Sequence, residues 1–191
     1  VKRILIPILA ALILAAVCAP QAPAATITCD PCSYPYQAWA DESKMPTPEV
    51  TLEVIETTEA ESCPGSTLNF GGCTRPSEAK IWLAPEMIGR AFPRGTLYHE
   101  IGHNVDADLL PEWMRIRFMA VLGMSPPWSA NVAEVDYWPP SEKFAETYAE
   151  CAVKPWIGRH EHLWGRGPVY GSEPIGGRHR HNVLCRMIAK L

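Results

Sequence analysis

The sequence predicts an α+β fold in which a small mixed β-sheet packs on one helix and a second helix closes over that helix from the other side. Three observations carry this. Val50-Thr-Leu-Glu-Val-Ile-Glu56 alternates apolar and polar residues with a β-branched bias, the period of a half-buried strand. Lys80-Ile-Trp-Leu-Ala84 is a second strand, stopped by Pro85. Leu97, Ile101, Val105 and Leu109 then recur at a helical interval and form the apolar stripe of a helix.

The chain of 191 residues opens with a segment that does not belong to the fold. Lys2 and Arg3 make a short basic region, Ile4 to Val17 is apolar apart from Pro7, and Ala22-Pro23-Ala24 is the small-x-small pattern of a signal-peptidase site. Residues 1–25 are therefore expected to be a secretory leader. An uncleaved anchor is the alternative, although the run is short for a membrane span. Cys18 invites a lipoprotein reading, but Val17 is larger than the small residue that usually precedes a lipid-bearing cysteine. Val1 in place of Met suggests a non-ATG start and a bacterial gene. The 17 Lys+Arg fall to 15 when Lys2 and Arg3 leave, against 21 Asp+Glu, a balance that points to neither nucleic acid nor an anionic membrane as partner.

Of 7 cysteines, all but Cys18 remain after the leader, an even set that implies disulfides in an exported chain. The expected pairs are Cys63–Cys73 across a short loop, Cys151–Cys185 between two late helices, and Cys29–Cys32. The last is a C-x-x-C, so a redox motif or half a zinc site enters as an alternative. No βαβ pattern is legible after it, and an oxidising compartment favours a disulfide.

Residues 26–48, rich in Pro and aromatics, are expected to be an irregular arm packed onto a single domain spanning residues 49–191. Residues 57–66 are acidic and turn-rich, and Thr67-Leu-Asn-Phe70 is a short strand candidate ended by Gly71-Gly72. The stripe helix should start at Thr96, an N-cap candidate after Gly95. Pro111 to Gly123 reads as a helix with Pro in its first turn and Gly at its end, and Trp113, Ile116, Met119 and Ala120 as its apolar face. A Pro- and Trp-rich loop leads to a helix from Ser141, taken as its N-cap, to Cys151. Residues 155–180 read as loop, and His181 to Leu191 as a last helix.

The chemistry lies in His99-Glu100-Ile101-Gly102-His103. Residues four apart share a helix face, so His99 and His103 can turn two imidazoles on one metal ion. Glu100, about 100° round the helix from His99, stands where a carboxylate can take a proton from an activated water. A third ligand is expected from the Ser141 helix, where Glu142 and Glu146 share a face. One of them can ligate while the other accepts the free N–H of a ligating His. A solvated acidic face is the bland reading of that pair.

His-Glu-Ile-Gly-His-Asn-Val-Asp followed by Ser-Glu-Lys-Phe-Ala-Glu-Thr-Tyr-Ala resembles the gluzincin peptidases, and most of all the group with the anthrax lethal factor catalytic domain and the secreted Pro-Pro endopeptidases. The likeness covers about residues 80–152. It implies a zincin-like fold and a zinc ion held by His99, His103 and Glu142. It also implies Glu100 as general base and Glu146 as the residue behind a ligand. One position departs: where those peptidases carry a catalytic Tyr, seven residues before the ligand Glu, this chain has Val135. Tyr137 is the nearest phenol and the candidate donor to the oxyanion. Metzincins are excluded, since their Gly and third His would fall on Asp106 and Leu109.

Asp106 is expected behind the ligands or as a partner at the helix end. Glu150 lies two turns from Glu142 and cannot share its metal. His160, His162, His179 and His181 are expected to be surface residues, the alternative being that one of them lines the cleft and assists the oxyanion. Trp82, Trp128 and Trp138 are candidate cleft walls. The resulting expectation is a secreted, monomeric zinc metallopeptidase acting on a peptide or protein, with no stable membrane association. Two alternatives stand: another zinc amide hydrolase acting on cell-envelope material, and an inactive, disulfide-stabilised binding protein.

Overall fold

A computed structural model describes residues 24–57, 71–84, 93–130, 138–156 and 176–191. Residues 1–23 of the expected leader, the Thr67–Phe70 strand candidate, Cys63, Val135, Tyr137, His160 and His162 lie outside the described residues, whereas Ala25, expected to be the leader's last residue, is buried in the core. Within them the fold is α+β. Four strands form one sheet: β1 (Thr26–Thr28), β2 (Thr51–Glu56), β3 (Gly72–Arg75) and β4 (Lys80–Leu83), in the order β1-β2-β4-β3. The first three in that order run parallel, with Thr26 opposite Thr51 and Glu53 opposite Lys80. β3 lies antiparallel to β4 at the edge, Cys73 facing Trp82.

Five helices accompany the sheet among the described residues: α1 (Tyr36–Asp41), α2 (Pro93–Asp108), α3 (Glu112–Leu122), α4 (Pro140–Val153) and α5 (Gly177–Ile188). The core forms where Leu52, Val54, Ile81 and Leu83 of the sheet meet Leu97, Ile101 and Val105 of α2, all buried, with Phe144 and Tyr148 of α4 behind them. Each such side chain contributes about 1.5–3 kcal/mol by leaving water.

Several expectations change. Residues 26–48 are not an irregular arm: they supply β1 and α1, so parallel β1 and β2 flank a helix in a β-α-β unit. The alternation in β1 spans only three residues, too few to stand out in a sequence. α2 begins at Pro93, not Thr96, because a proline in the first turn lacks only an N–H that the helix would leave unpaired. Thr96 is thereby buried inside the helix. α4 likewise begins at Pro140, capped by Pro139, which places Ser141 inside it. A strand starts at Gly72, where the sequence read one as ending.

α3 buries only part of its expected face: Met119 is inside as expected, while Trp113, Ile116 and Ala120 are exposed, the first two at 58% and 56%. Met114 and Phe118 are buried as well. This helix has apolar residues all round, so periodicity cannot choose a face. Phe118 decides it by edge-on packing against Trp128 and Phe144, centroids 5.8 and 5.5 Å away.

Cys29–Cys32 and Cys151–Cys185 are disulfides, as expected. Cys73 is also disulfide-bonded. No helix among the described residues is long and apolar enough to cross a membrane.

Candidate metal centre

The site is built where α4 crosses α2. The crossing is close because Gly102 has no side chain: a Cβ there would stand 2.9 Å from Ala145 Cα and 3.0 Å from Ala145 O. Those are backbone atoms, which cannot step aside. The Gly in the middle of His-Glu-Ile-Gly-His thus lets α4 come near enough for its carboxylates to reach the imidazoles of α2.

At that crossing His99, His103 and Glu142 converge, and one ligand atom from each lies within 4.8 Å of the others. His99 Nε2 is 3.2 Å and His103 Nε2 is 3.5 Å from Glu142 Oε2. The two rings stand nearly perpendicular, their planes at 77°. Behind His99, its Nδ1 lies 3.1 Å from Glu146 Oε2, and both groups are buried. Nδ1–H donation to that carboxylate fixes the ring and leaves Nε2 facing Glu142 and His103. The second oxygen, Glu146 Oε1, is buried with no hydrogen-bond partner among the described residues. His103 and Glu142 are partly exposed, so the cluster opens to solvent on their side.

The electrostatics follow from this crowding. Burial alone would lower the His99 imidazole, but hydrogen bonds to Glu142 and Glu146 push it up to about 10. Burial would raise Glu142, but His103 and His99 hold it well below the usual carboxylate range. Glu100 is buried beside them, and burial raises its carboxyl against the opposing pull of His99 and His103.

Two residues that the sequence reading missed shape the surroundings of Glu100. A Cβ on Gly72 would stand 3.1 Å from Glu100 Oε1 and 2.8 Å from Thr96 Cγ2, so the edge strand lies directly against the carboxylate. Asn104 Nδ2 donates to Thr74 Oγ1 of β3 at 2.9 Å and to the Glu100 carbonyl at 2.9 Å, pinning strand to helix. Asn104 is visible in the sequence only as a polar residue one turn beyond Glu100. Nothing there says that β3 will pass beside it.

Asp106 serves the helix end. Its carboxylate accepts from Arg115 Nε at 2.9 Å and from Trp128 Nε1 at 2.8 Å, tying α2 to α3 and to the following loop. Trp128, partly buried, packs in an aromatic cluster with Phe118 and Phe144. Trp82 is buried, with the Arg75 guanidinium 5.5 Å above its ring. Trp138 is exposed at 38% beside Lys143. His181, expected at the surface, is fully buried: Nδ1 faces Glu150 Oε2 at 3.2 Å and Nε2 faces the Lys154 carbonyl at 2.9 Å. It could not be placed from sequence because α5 starts four residues earlier than expected and turns this position inward. Cys151, His181 and Cys185 also cluster at ligand distance, but their two sulfurs are joined to each other.

Comparison with protein-family models, curated proteins and solved structures returned no match for this chain.

Proposed function

We propose that the chain is an exported zinc metallopeptidase with a zincin-like arrangement of sheet and helices. The observation that carries this reading is the convergence of His99 Nε2, His103 Nε2 and Glu142 Oε2, with the Glu100 carboxylate on the same helix beside them. Two imidazoles and one carboxylate are the donor set of a catalytic zinc site that keeps one position for water or substrate. The buried Glu146 behind His99 suits that role, because a ligating His needs its other nitrogen oriented.

When bound, zinc would supply Lewis acidity to the scissile carbonyl and acidify the attacking water. The protein's own groups do the rest. His99, His103 and Glu142 hold the ion. Glu146 keeps His99 in one tautomer. Glu100 takes the proton of the attacking water and returns it to the leaving amine, a task suited to a carboxylate that burial raises. Tyr137, outside the described residues, is assigned to hydrogen-bond the oxyanion.

The test is metal content and hydrolysis on the same preparations. The wild-type chain should carry one zinc and cleave members of a mixed peptide library. Glu100→Gln should keep the zinc and lose at least about a hundredfold in rate, whereas Glu142→Ala should lose the zinc. Full activity in Glu100→Gln would remove the proposed mechanism. Zinc without peptide cleavage, but with release of amines from cell-envelope material, would move the substrate to the other amide-hydrolase class.

A further inference from the structure

Two disulfides among the described residues are built differently. Cys151–Cys185 is buried, joins two helices and spans a sequence separation of 34. Cys29–Cys32 spans a separation of 3, with Cys32 exposed and Cys29 only partly covered. A cross-link of so few residues restricts the unfolded chain least, and it lies where a small thiol can reach it.

The segment around Cys29–Cys32 does not depend on that bond for its position. Immediately after Cys32, the Ser33 backbone N–H donates to Glu56 Oε1 at 2.9 Å, and Tyr36 Oη donates to the same oxygen at 2.7 Å. Tyr34, Tyr36 and Trp39 pack on one another with centroids 5.6–6.0 Å apart. Immediately before Cys29, β1 is paired with β2. The loop is thus tied down at both ends by strand pairing, hydrogen bonds and aromatic packing. The Cys-Asp-Pro-Cys stretch also leaves the carboxyl end of a parallel strand and precedes, by three residues, the short helix of a β-α-β unit, a context in which a C-x-x-C can be a redox pair. Finally, Cys29 Sγ lies 3.4 Å from the Pro31 carbonyl oxygen, an acceptor for the thiol once the bond is open.

We propose that Cys29–Cys32 is a redox-active disulfide that exchanges with small thiols or with cysteines of other exported proteins, independently of the metal centre. A thiolate attacks the exposed Cys32 sulfur and the Cys29–Cys32 bond breaks. Cys29 leaves as a thiolate, takes a proton and donates to the Pro31 carbonyl. A second thiolate then attacks the incoming sulfur of the mixed disulfide and releases Cys32. Two thiols become one disulfide while the protein disulfide becomes a dithiol.

The experiment equilibrates the full oxidised chain in glutathione buffers of increasing reducing strength, alkylates free thiols and maps them by mass spectrometry. Cys29 and Cys32 should become labelled together at ratios that leave Cys151 and Cys185 unlabelled and circular dichroism unchanged. Reduction of a fluorogenic glutathione disulfide by excess glutathione should run about tenfold faster with the wild type than with the C29S/C32S double variant. Because Cys32 carries the attacked sulfur, Cys29→Ser should accumulate a glutathione adduct on Cys32. The proposal is overturned if the pair resists reduction until the chain unfolds, if all disulfides reduce together, or if the double variant loses as much thermal stability as C151S/C185S. The labelling is read on the wild type, so it stands even if the double variant does not fold.

Discussion

Gly72 and Glu100 touch across the gap between the edge strand and α2, and neither can be understood alone. With Leu83 Cδ2 at 2.9 Å, Thr96 Cγ2 at 2.8 Å and Glu100 Oε1 at 3.1 Å from a would-be Cβ, any side chain on Gly72 must move the carboxylate or the strand. If the proposed function holds, Gly72→Ala should lower peptide hydrolysis by about a hundredfold, the scale of a misplacement near 1 Å, while zinc content by metal analysis stays at the wild-type level. Loss of zinc as well would mean that α2 itself, with His99 and His103, had been displaced. Glu56 makes a second prediction at this scale. Burial raises its carboxyl, but hydrogen bonds from Tyr36 and Ser33 outweigh that and hold it below its ordinary value of 4.5. A depressed carboxylate stabilises the fold above its unfolded value and loses that contribution as pH falls through its folded value. Because Glu56 is partly open to solvent, which screens its interactions, wild type should exceed Glu56→Gln by no more than about 1 kcal/mol at neutral pH, and urea titrations should find the gap shrinking below about pH 4.5. The motif spacing made His99 and His103 legible as a pair, because i,i+4 geometry is fixed by the helix itself, whereas the choice of Glu142 over Glu146 as their partner came from the resemblance. Gly72, Asn104 and the buried His181 were illegible, since their partners come from other elements and no local rule reports a tertiary neighbour.

Among the elements, α2 and α4 matter most, and their separation is set at one position. Gly102→Ala would press a methyl into the backbone of Ala145. The overpacking should cost about 1–3 kcal/mol, measurable as a lower melting temperature, and zinc should dissociate more readily because Glu142 is carried away from the two histidines. An unchanged metal affinity would show that α4 can tilt without moving its first turn. Legibility at this scale followed length and contrast. β2, β4 and the long helices announced themselves through period. β1 is too short to show one, the starts of α2 and α4 were misread because Thr96 and Ser141 offer better caps than the prolines that open those helices, and α3 is apolar on every side. The β-α-β unit around Cys29–Cys32 was missed for the first of these reasons.

Across the whole molecule, the N-terminal segment braces both helices of the candidate metal centre. Tyr98 of α2 donates to the Trp39 carbonyl, and Tyr148 of α4 donates to the Pro46 carbonyl at 2.9 Å. At the far end Cys151 fixes α4 to α5. Breaking that bond with C151S/C185S should cost about 3–4 kcal/mol by the chain-entropy relation, readable by thermal melting. It should also change cobalt binding at the metal centre from one spectroscopic species to a mixture. That second effect follows from the repeat carried by α4. Glu142, Glu146 and Glu150 stand four apart, and so do Ala145 and Ala149. A slide of four residues, about 6 Å with a rotation of about 40°, would bring Glu146 to where Glu142 stands, Glu150 to where Glu146 stands, and another alanine opposite Gly102. Glu150 would leave its buried partner His181, but neither the two carboxylates at the imidazoles nor the small-residue seam tells the two settings apart. Phe144 and Tyr148, which differ in their hydroxyl, and the covalent tether at Cys151 do. The tether thus acts as a detent: it selects one notch on a helix whose polar face would fit nearly as well in the next.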